Sequence, residues 1–192
     1  MSRVVRAREL LSFPVVTLRG DDVAEVRDVV YDSEHGALLG FTLNQRGLFG
    51  GKLRERLSMS SVHAIGHDAV MVASEDELVD VDAASDPVAA ASSDRNVIGD
   101  AVLTESGTNL GEVVDVIITV GEDARAVGYE VKAEDRTLYI PLPEQHAVSG
   151  DALIVPDEVE GFVHDDLAGF GASIPEFRAR LHEETSSDEA TS

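Results

Sequence analysis

The chain has 192 residues, 43% of them hydrophobic and 5% aromatic, which is enough apolar material for one large or two small soluble domains. It has no cysteine, so disulfides, thiolate metal sites and cysteine nucleophiles are excluded, and a cytoplasmic location is expected. Its formal net charge of −22 disfavours direct contact with nucleic acid or anionic lipid, whereas it attracts basic proteins and cations. No run approaches the ~18 apolar residues of a membrane span, so we expect no membrane insertion.

Short strands and turns are predicted along the first part of the chain. Residues 5–11 fit one helical turn, which Pro14 ends. Valine, leucine and isoleucine then recur in short runs separated by turn residues, the pattern of a half-buried antiparallel sheet. A glycine-rich loop at 45–54 interrupts these runs. The strands predicted in this part are 15–18, 23–32, 37–43, 56–59 and 69–73.

The second part of the chain repeats the first. Residues 63–72 reappear as 146–155 with five of ten identical, and residues 25–30 reappear as 112–117. The two offsets, 83 and 87 residues, are nearly equal, and the order is kept. A repeat of this length, with a short strand roughly every 8 to 12 residues, indicates two copies of one small barrel or sandwich. The strands predicted in the second copy are 102–105, 110–120, 126–131, 137–142 and 152–155.

The repeat divides the chain into domains. We expect the first domain at 1–80, a flexible acidic linker at 81–94, the second domain at 95–162 and a tail at 163–192. The stretch 75–94 holds seven acidic residues and no basic one, a composition typical of a linker.

The tail carries the signature of a helix. Residues 173–176 read Ser-Ile-Pro-Glu, the form of a capping box, so we predict a short helix at about 174–184 and a disordered end. Ile174, Phe177 and Leu181 would share one face of that helix. This face either packs back on a domain or fills a groove of a partner.

Four segments of the second copy resemble the PRC-barrel family. They are Leu-Gly-Glu-Val-Val-Asp-Val-Ile at 110–117, Gly-Tyr-Glu-Val at 128–131, Tyr-Ile-Pro-Leu at 139–142 and Gly-Asp-Ala-Leu-Ile-Val at 150–155. This small β-barrel is found in the photosynthetic reaction centre H subunit and at the C-terminal end of the ribosome-maturation factor RimM. The resemblance implies an all-β fold of two tandem small PRC-type β-barrels with a short C-terminal helix. It also implies a binding or scaffolding module, because the family carries no catalytic residue.

The first copy departs from this pattern. Ala24 stands where the family has glycine, and Leu57-Ser58-Met59 replaces the segment that carries the strand proline. Between its third and fourth strands the first copy is also about five residues longer. If the copies divided their labour after duplication, these departures mark where function lies.

Six residues form the expected structural motif of the repeat. The glycines allow a tight turn and a close crossing of strands. The aspartates recur at equivalent places, and each either accepts a hydrogen bond from a nearby backbone N–H or serves a partner residue. The six are Gly40, Gly107, Gly111 and Gly128, with Asp28 and Asp115.

The longer loop of the first copy is a candidate contact surface. Leu48 and Phe49 at its tip either tuck under the barrel or present an apolar contact to another protein. The loop is not a phosphate-binding loop, since Leu53 follows Lys52 where that motif needs serine or threonine. Basic residues flank the tip, and they pair either with the acidic linker or tail or with an acidic partner. These residues are Arg46, Lys52, Arg54 and Arg56.

Duplication without repeated reactive groups predicts a non-enzymatic protein. His63 recurs as His146, but Gly150 stands where the companion His67 would recur, which disfavours a metal site. We expect an adaptor that binds another protein, a basic one if net charge selects it, with no catalytic residue, metal or cofactor. A homo-oligomer is compatible with the sequence. The alternative is a RimM-like ribosome-maturation factor that binds a basic ribosomal protein, and an enzyme is a third option that a polar cluster lining a pocket would revive.

Overall fold

The protein is described by a computed structural model over residues 3–32, 36–46, 51–80, 97–121, 124–143, 147–149 and 152–189. These residues form mostly β-strands with one α-helix near the C-terminus, which confirms the predicted all-β fold class. Their packing separates two compact units. The first unit is Met1–Arg95 with Ile118–Ala126, and the second is Asn96–Ile117 with Val127–Ser192.

Two curled sheets carry the fold. The first runs in the order β6-β7-β2-β3-β4-β5-β8, and the second in the order β12-β11-β10-β9-β14-β13, with β1 paired to β10. The first eight strands are Arg3–Arg6 (β1), Pro14–Thr17 (β2), Asp22–Tyr31 (β3), Leu38–Asn44 (β4), Lys52–Ser58 (β5), Val62–Ile65 (β6), Val70–Val72 (β7) and Leu78–Asp80 (β8). The others are Ala101–Thr104 (β9), Asn109–Val120 (β10), Arg125–Ala133 (β11), Arg136–Pro141 (β12), Ala147–Ser149 (β13) and Ala152–Val155 (β14).

The two sheets share one topology. Strands β2 to β7 correspond in order to β9 to β14, and each set closes with a parallel pair, β2 with β7 and β9 with β14. The repeat in the sequence is therefore a repeat of the strand order. Alternating residues of these strands form the core, as the one-side-buried patterns of β2 and β9 show. The largest fully buried side chains include Leu10, Phe41, Leu43 and Leu57 in the first unit and Ile117, Tyr129, Ile140 and Leu153 in the second.

The turn that leads into each sheet is repeated as well. A 3₁₀ turn at Ala7–Leu10 precedes Ser12, whose N–H donates to the carbonyl of Val26 at 2.8 Å. Gly99 lies 87 residues later, and its N–H donates to the carbonyl of Val113 at 2.8 Å. Both residues have positive φ, 65° for Ser12 and 93° for Gly99. The duplicated unit thus begins earlier than the similarity of the two sequences indicates.

The tip of the β10–β11 hairpin groups with the first unit. Ala37 forms an antiparallel bridge with Arg125, and the N–H of Leu38 donates to the carbonyl of Ala124 at 3.3 Å. Strand β1 also pairs with β10. Ile118–Ala126 therefore belongs to the first unit by packing, although the sequence repeat assigns it to the second copy.

The C-terminal helix α1, Leu167–Glu189, begins seven residues before its predicted start. Asp166 caps it, because its Oδ1 accepts a hydrogen bond from the N–H of Gly169 at 2.7 Å. Ser173, the predicted cap, instead donates to the carbonyl three residues earlier at 2.9 Å. Pro175 lies inside the helix rather than near its start, as the capping box predicts. The predicted helix exists, but its predicted start is wrong.

The acidic stretch 75–94 is not a linker from its first residue. Glu75–Glu77 forms a 3₁₀ turn, and β8 follows it and pairs antiparallel with β5. Pairing with a distant strand supplies the order that this acidic composition does not suggest. The expected linker itself, 81–94, lies outside the described residues.

Candidate functional site

The tip of the first copy's loop, Leu48 and Phe49, lies outside the described residues, so its tucking or docking stays a prediction. The basic residues on either side of the tip are described. Arg46 precedes the tip of the loop, and the other three lie on β5. This strand begins at Lys52, four residues earlier than predicted, because it pairs with β4 over the end of the expected loop.

Arg46 is held by two carboxylates of its own unit. Its guanidinium forms ion pairs with Asp22 and with Glu25, the latter at 3.2 Å. The hydrogen bond to Asp22, followed by the charge of that carboxylate, raises the pKa of Arg46 above its usual value. The charge of Arg46 is thus largely compensated within the first unit, and Arg46 contributes little to the attraction of a partner.

The other three basic residues alternate along β5. Lys52 and Arg54 are exposed, and Arg56 is half-buried. Lys52 pairs with Asn44 and Arg56 with Thr42, and the register of β4 and β5 shifts between these two pairs. Arg56 lies between Thr42 of β4 and Val79 of β8 in the register of the sheet. Basic side chains therefore follow one strand, next to an apolar residue at the sheet edge.

A fourth basic residue, on β3, lies near this group. Arg27 Nε donates a hydrogen bond to Thr42 Oγ1 at 3.2 Å, so its side chain lies over the threonine, which is 3% exposed. Val79, at the other end of the same row, is 58% exposed. We refer to Arg27, Lys52, Arg54 and Arg56 together as the basic face.

Guanidinium and ammonium groups in this arrangement favour carboxylates. Arginine presents a planar fork of donors that binds a carboxylate through two parallel hydrogen bonds, and lysine adds a point charge. These four basic residues are grouped in a chain of net charge −22, with the exposed Asp28 opposite Thr42 in the register of β3 and β4. The basic face is therefore suited to an acidic segment.

The second copy has no basic face at the equivalent positions. The strand registers match, since Gly128 pairs with Pro141 as Gly40 pairs with Ser58. A valine, a glutamate and a tyrosine stand where the first copy has Arg27, Thr42 and Arg56. These counterparts are Val114, Glu130 and Tyr139.

Helix α1 covers this face of the second unit. Phe170 is fully buried, and its ring centroid lies 6.1 Å from that of Tyr139. A Cβ at Gly128 would lie 2.5 Å from Cζ of Phe170 and would also collide with the carbonyl oxygen of Ile140. The glycine is therefore required both by the neighbouring strand and by the helix.

The remaining apolar residues of α1 pack in the same way. Ile174 and Phe177 are buried, and the Phe177 ring meets Phe162 edge-on with centroids 5.1 Å apart. Packing on a barrel, one of the two alternatives for this helix face, is the arrangement observed, and it leaves Ile174 and Phe177 inaccessible to a partner. The side chain of Leu181 lies outside the described part of the chain.

The repeated aspartates make the same local hydrogen bond. Asp28 Oδ1 accepts from the N–H of Val29 at 2.9 Å, and Asp115 Oδ1 accepts from the N–H of Val116 at 2.8 Å. Asp28 is exposed, whereas Asp115 is buried. Their shared contact is the structural one of the two interpretations, because a carboxylate that satisfies its neighbouring N–H supports the local backbone.

The glycines of the motif are required for different physical reasons. Gly107 has φ of 90° in an open turn, where backbone conformation alone favours glycine. Gly111 has φ of 124°, and a Cβ there would lie 2.5 Å from the carbonyl oxygen of Lys132. A Cβ at Gly40 would collide with the backbone of Leu57, as a Cβ at Gly128 would collide with the backbone of Ile140 on the equivalent strand.

Arg27, Thr42 and Val79 are functional candidates that sequence reasoning misses. Arg27 lies in the repeated segment 25–30, and valine stands at the equivalent position of the second copy. That single exchange of valine for arginine is the signal that could have revealed it. Val79 is one of two adjacent apolar residues in an acidic run, a pattern too short to indicate a strand.

Among the residues that the structure describes, no three histidine, aspartate or glutamate side chains gather as a metal site would require. Nor does any helix in the described part of the chain have the length and apolarity needed to cross a bilayer.

The chain was compared with known proteins. A search of the curated proteins gave no match. The PRC-barrel domain matches the chain twice, at residues 2–79 and at residues 91–160. Those two segments contain β2 to β7 and β9 to β14, the strands that repeat. The chain therefore belongs to the PRC-barrel family, as a tandem PRC-barrel protein.

Proposed function

We propose that this PRC-barrel protein is a non-enzymatic adaptor that binds an acidic segment of another protein through the basic face. The observation that carries the proposal is the basic face itself, four neighbouring basic residues on strands β3 and β5 of an otherwise acidic chain. Lys52 and Arg54 are exposed, so a partner can reach them.

Charge selects the class of partner. At ~0.1 M salt, charges attract or repel over about 10 Å, so an approaching segment interacts mainly with the charged groups of this part of the surface. A nucleic acid presents its phosphates over a much longer surface and would meet the surrounding negative charge of the chain. A short acidic protein segment avoids this repulsion. We place the interaction in the cytoplasm, as the cysteine-free sequence favours.

A pair of charge reversals tests the proposal. Lys52→Glu with Arg54→Glu removes the exposed part of the basic face. Lys132→Glu with Arg136→Glu is the matched control, because it makes the same charge change at two exposed residues of the second unit. Partners are recovered from native cytosol with the tagged full chain and quantified by mass spectrometry.

We expect the first variant to lose at least about tenfold in recovery of one or more acidic proteins, whereas the control retains them. Recovery should also fall as salt rises from ~0.1 to ~0.5 M. Equal losses in both variants, or no loss in either, would contradict the proposal. The RimM-like alternative stays a separate prediction, and co-sedimentation with ribosomal subunits tests it.

A further inference from the structure

The two copies treat one equivalent face differently, and this difference points to the shape of the partner. We propose that the occupant of the basic face is an acidic amphipathic helix, seated on the first unit as α1 is seated on the second. This inference rests on the proposed function and names the partner class more narrowly.

The equivalence of the faces is fixed by register. Thr42 opposes Arg56 across β4 and β5, and Glu130 opposes Tyr139 across β11 and β12. In both copies a glycine, Gly40 or Gly128, lies two residues earlier on the inner strand, where a Cβ would collide with the neighbouring strand. A helix that fits one face therefore meets strands paired in the same register on the other.

In the second unit that surface is in contact with helix α1 through Phe170. Phe170, Ile174 and Phe177 have i, i+4, i+7 spacing and are all buried, and Phe177 contacts Phe162 of the 3₁₀ turn before the helix. Phe170 lies against Tyr139, the cross-strand neighbour of a residue on β11. The fold thus demonstrates helix docking on this sheet face within its own chain.

In the first unit the matching row has an apolar residue, Val79, where His164 pairs with Tyr139 in the second, and it carries arginine. Val79 lies beside Arg56 in the β8–β5 register and is 58% exposed. Arginine replaces tyrosine at position 56 and valine at position 27, relative to the second copy. The helix that fits has one or more apolar residues for Val79 and carboxylates on its flanks for the basic face.

An extended strand is disfavoured as the occupant. It would have to add to the edge of β8, which is the outermost strand of the first sheet among the residues that the structure describes. That edge is three residues long and carries Asp80, and the acidic turn Glu75–Glu77 precedes it. An acidic strand there would lie beside like charges, whereas a helix on the face meets Lys52 and Arg54.

Two designed peptides of identical composition test the helical mode. Each contains leucine, alanine, glutamine and glutamate; one has its leucines at i, i+4, i+7 and i+11, and the other has them scattered around the helix. Binding to the full chain is measured by fluorescence anisotropy, and far-UV circular dichroism of the mixture reports peptide helicity. Backbone chemical shifts of the labelled protein locate the site.

We expect the one-faced peptide to bind at least about tenfold more tightly than the scattered one, to gain helicity, and to shift resonances of β5 and β8. Val79→Asp should weaken that binding at least about tenfold, whereas the control Leu18→Asp, an apolar residue of the first unit that is 56% exposed, should change it less than about twofold.

Other outcomes separate this inference from the proposed function. Equal binding of the two peptides, or a Val79→Asp variant that binds normally, overturns the helical mode while the charge-reversal result still decides the function. A gain of β-structure overturns it in favour of strand addition. Loss of cytosolic partners in the charge-reversal variant with no binding of either peptide likewise leaves the function standing and the helix refuted.

Discussion

Ser12 occupies a backbone conformation that its counterpart in the second copy satisfies with glycine. The N–H of each residue donates to a carbonyl of the second strand after it, β3 for Ser12 and β10 for Gly99, and both have positive φ, 65° for Ser12 and 93° for Gly99. We predict that Ser12→Gly stabilises the first unit and that Gly99→Ser destabilises the second. The two changes exchange the residues of equivalent turns, so each is a control for the other.

The magnitude follows from opposing backbone terms. The left-handed region costs an L-residue roughly 1–2 kcal/mol, which a change to glycine removes. The greater freedom of glycine in the unfolded chain offsets about 0.5–1 kcal/mol of this stabilisation. Ser12→Gly should therefore raise the free energy of unfolding by roughly 0.5–1 kcal/mol, and Gly99→Ser should lower it by at least as much. A Cβ at Gly99 meets no heavy atom within 4 Å, so its cost comes from backbone conformation alone.

Urea unfolding followed by circular dichroism measures the total effect, and amide hydrogen exchange assigns it to one unit. Ser12→Ala should be close to neutral, because it keeps the Cβ and the positive φ and removes only the exposed hydroxyl. A destabilising Ser12→Gly, or a neutral Gly99→Ser, would refute the argument that the two turns are backbone equivalents.

Three further predictions concern the second unit. Gly128→Ala should cost about 1–3 kcal/mol of unfolding free energy, because its Cβ collides with Cζ of Phe170 and with strand backbone; denaturant titration measures it. Phe170→Ala should cost about 3–5 kcal/mol, since it empties a fully buried aromatic site, and the loss should appear as reduced exchange protection in β11 and β12. The hydrogen bond from the N–H of Ser106 lowers the pKa of Asp157 in the folded protein. The carboxylate therefore stabilises the fold fully above the pKa of the unfolded chain, near 4. This stabilisation is lost as the pH falls through the lower pKa of the folded state. Urea unfolding at several pH values should therefore show the stability gap between wild type and Asp157→Asn shrinking below pH ~4; an equal shrinkage with the exposed Asp165→Asn would contradict it.

Strands with long alternating patterns could be predicted from the sequence. The predicted 23–32 corresponds to β3, the predicted 110–120 to β10, and the repeat itself indicated the shared strand order. Each strand alternates buried and more exposed residues over part of its length, as at 23–27 in β3, so part of the apolar period is present in the sequence.

The short strands at the sheet margins could not be predicted in this way. β6 is four residues long and exposes His63 and Ala64, and β8 is three residues long in an acidic run. Such strands form because a distant strand supplies their hydrogen bonds, which no local pattern records. The start of α1 was missed for a related reason, since Asp166 caps the helix in a segment without apolar periodicity.

Only part of the candidate site could be predicted from the sequence. The clustering of basic residues on either side of the loop is a local feature, and it is found on β5. That Arg27 lies over Thr42, and that Val79 lies beside Arg56, depends on pairings between segments far apart in the chain. The separation of Arg46 from this group also depends on tertiary structure, because its carboxylate partners lie on β3.

The packing of the hairpin tip has a consequence for the order of events during protein synthesis. The first unit is complete only when residue 126 has been made, 31 positions after residue 95. At translation rates of about 5–20 residues per second, the emerging N-terminal sheet waits roughly 2–6 s for its last segment. During that interval the buried positions that Ile118 and Val120 will occupy lack them. A newly made chain is therefore exposed to chaperones and proteases for longer than one whose domains end in sequence order.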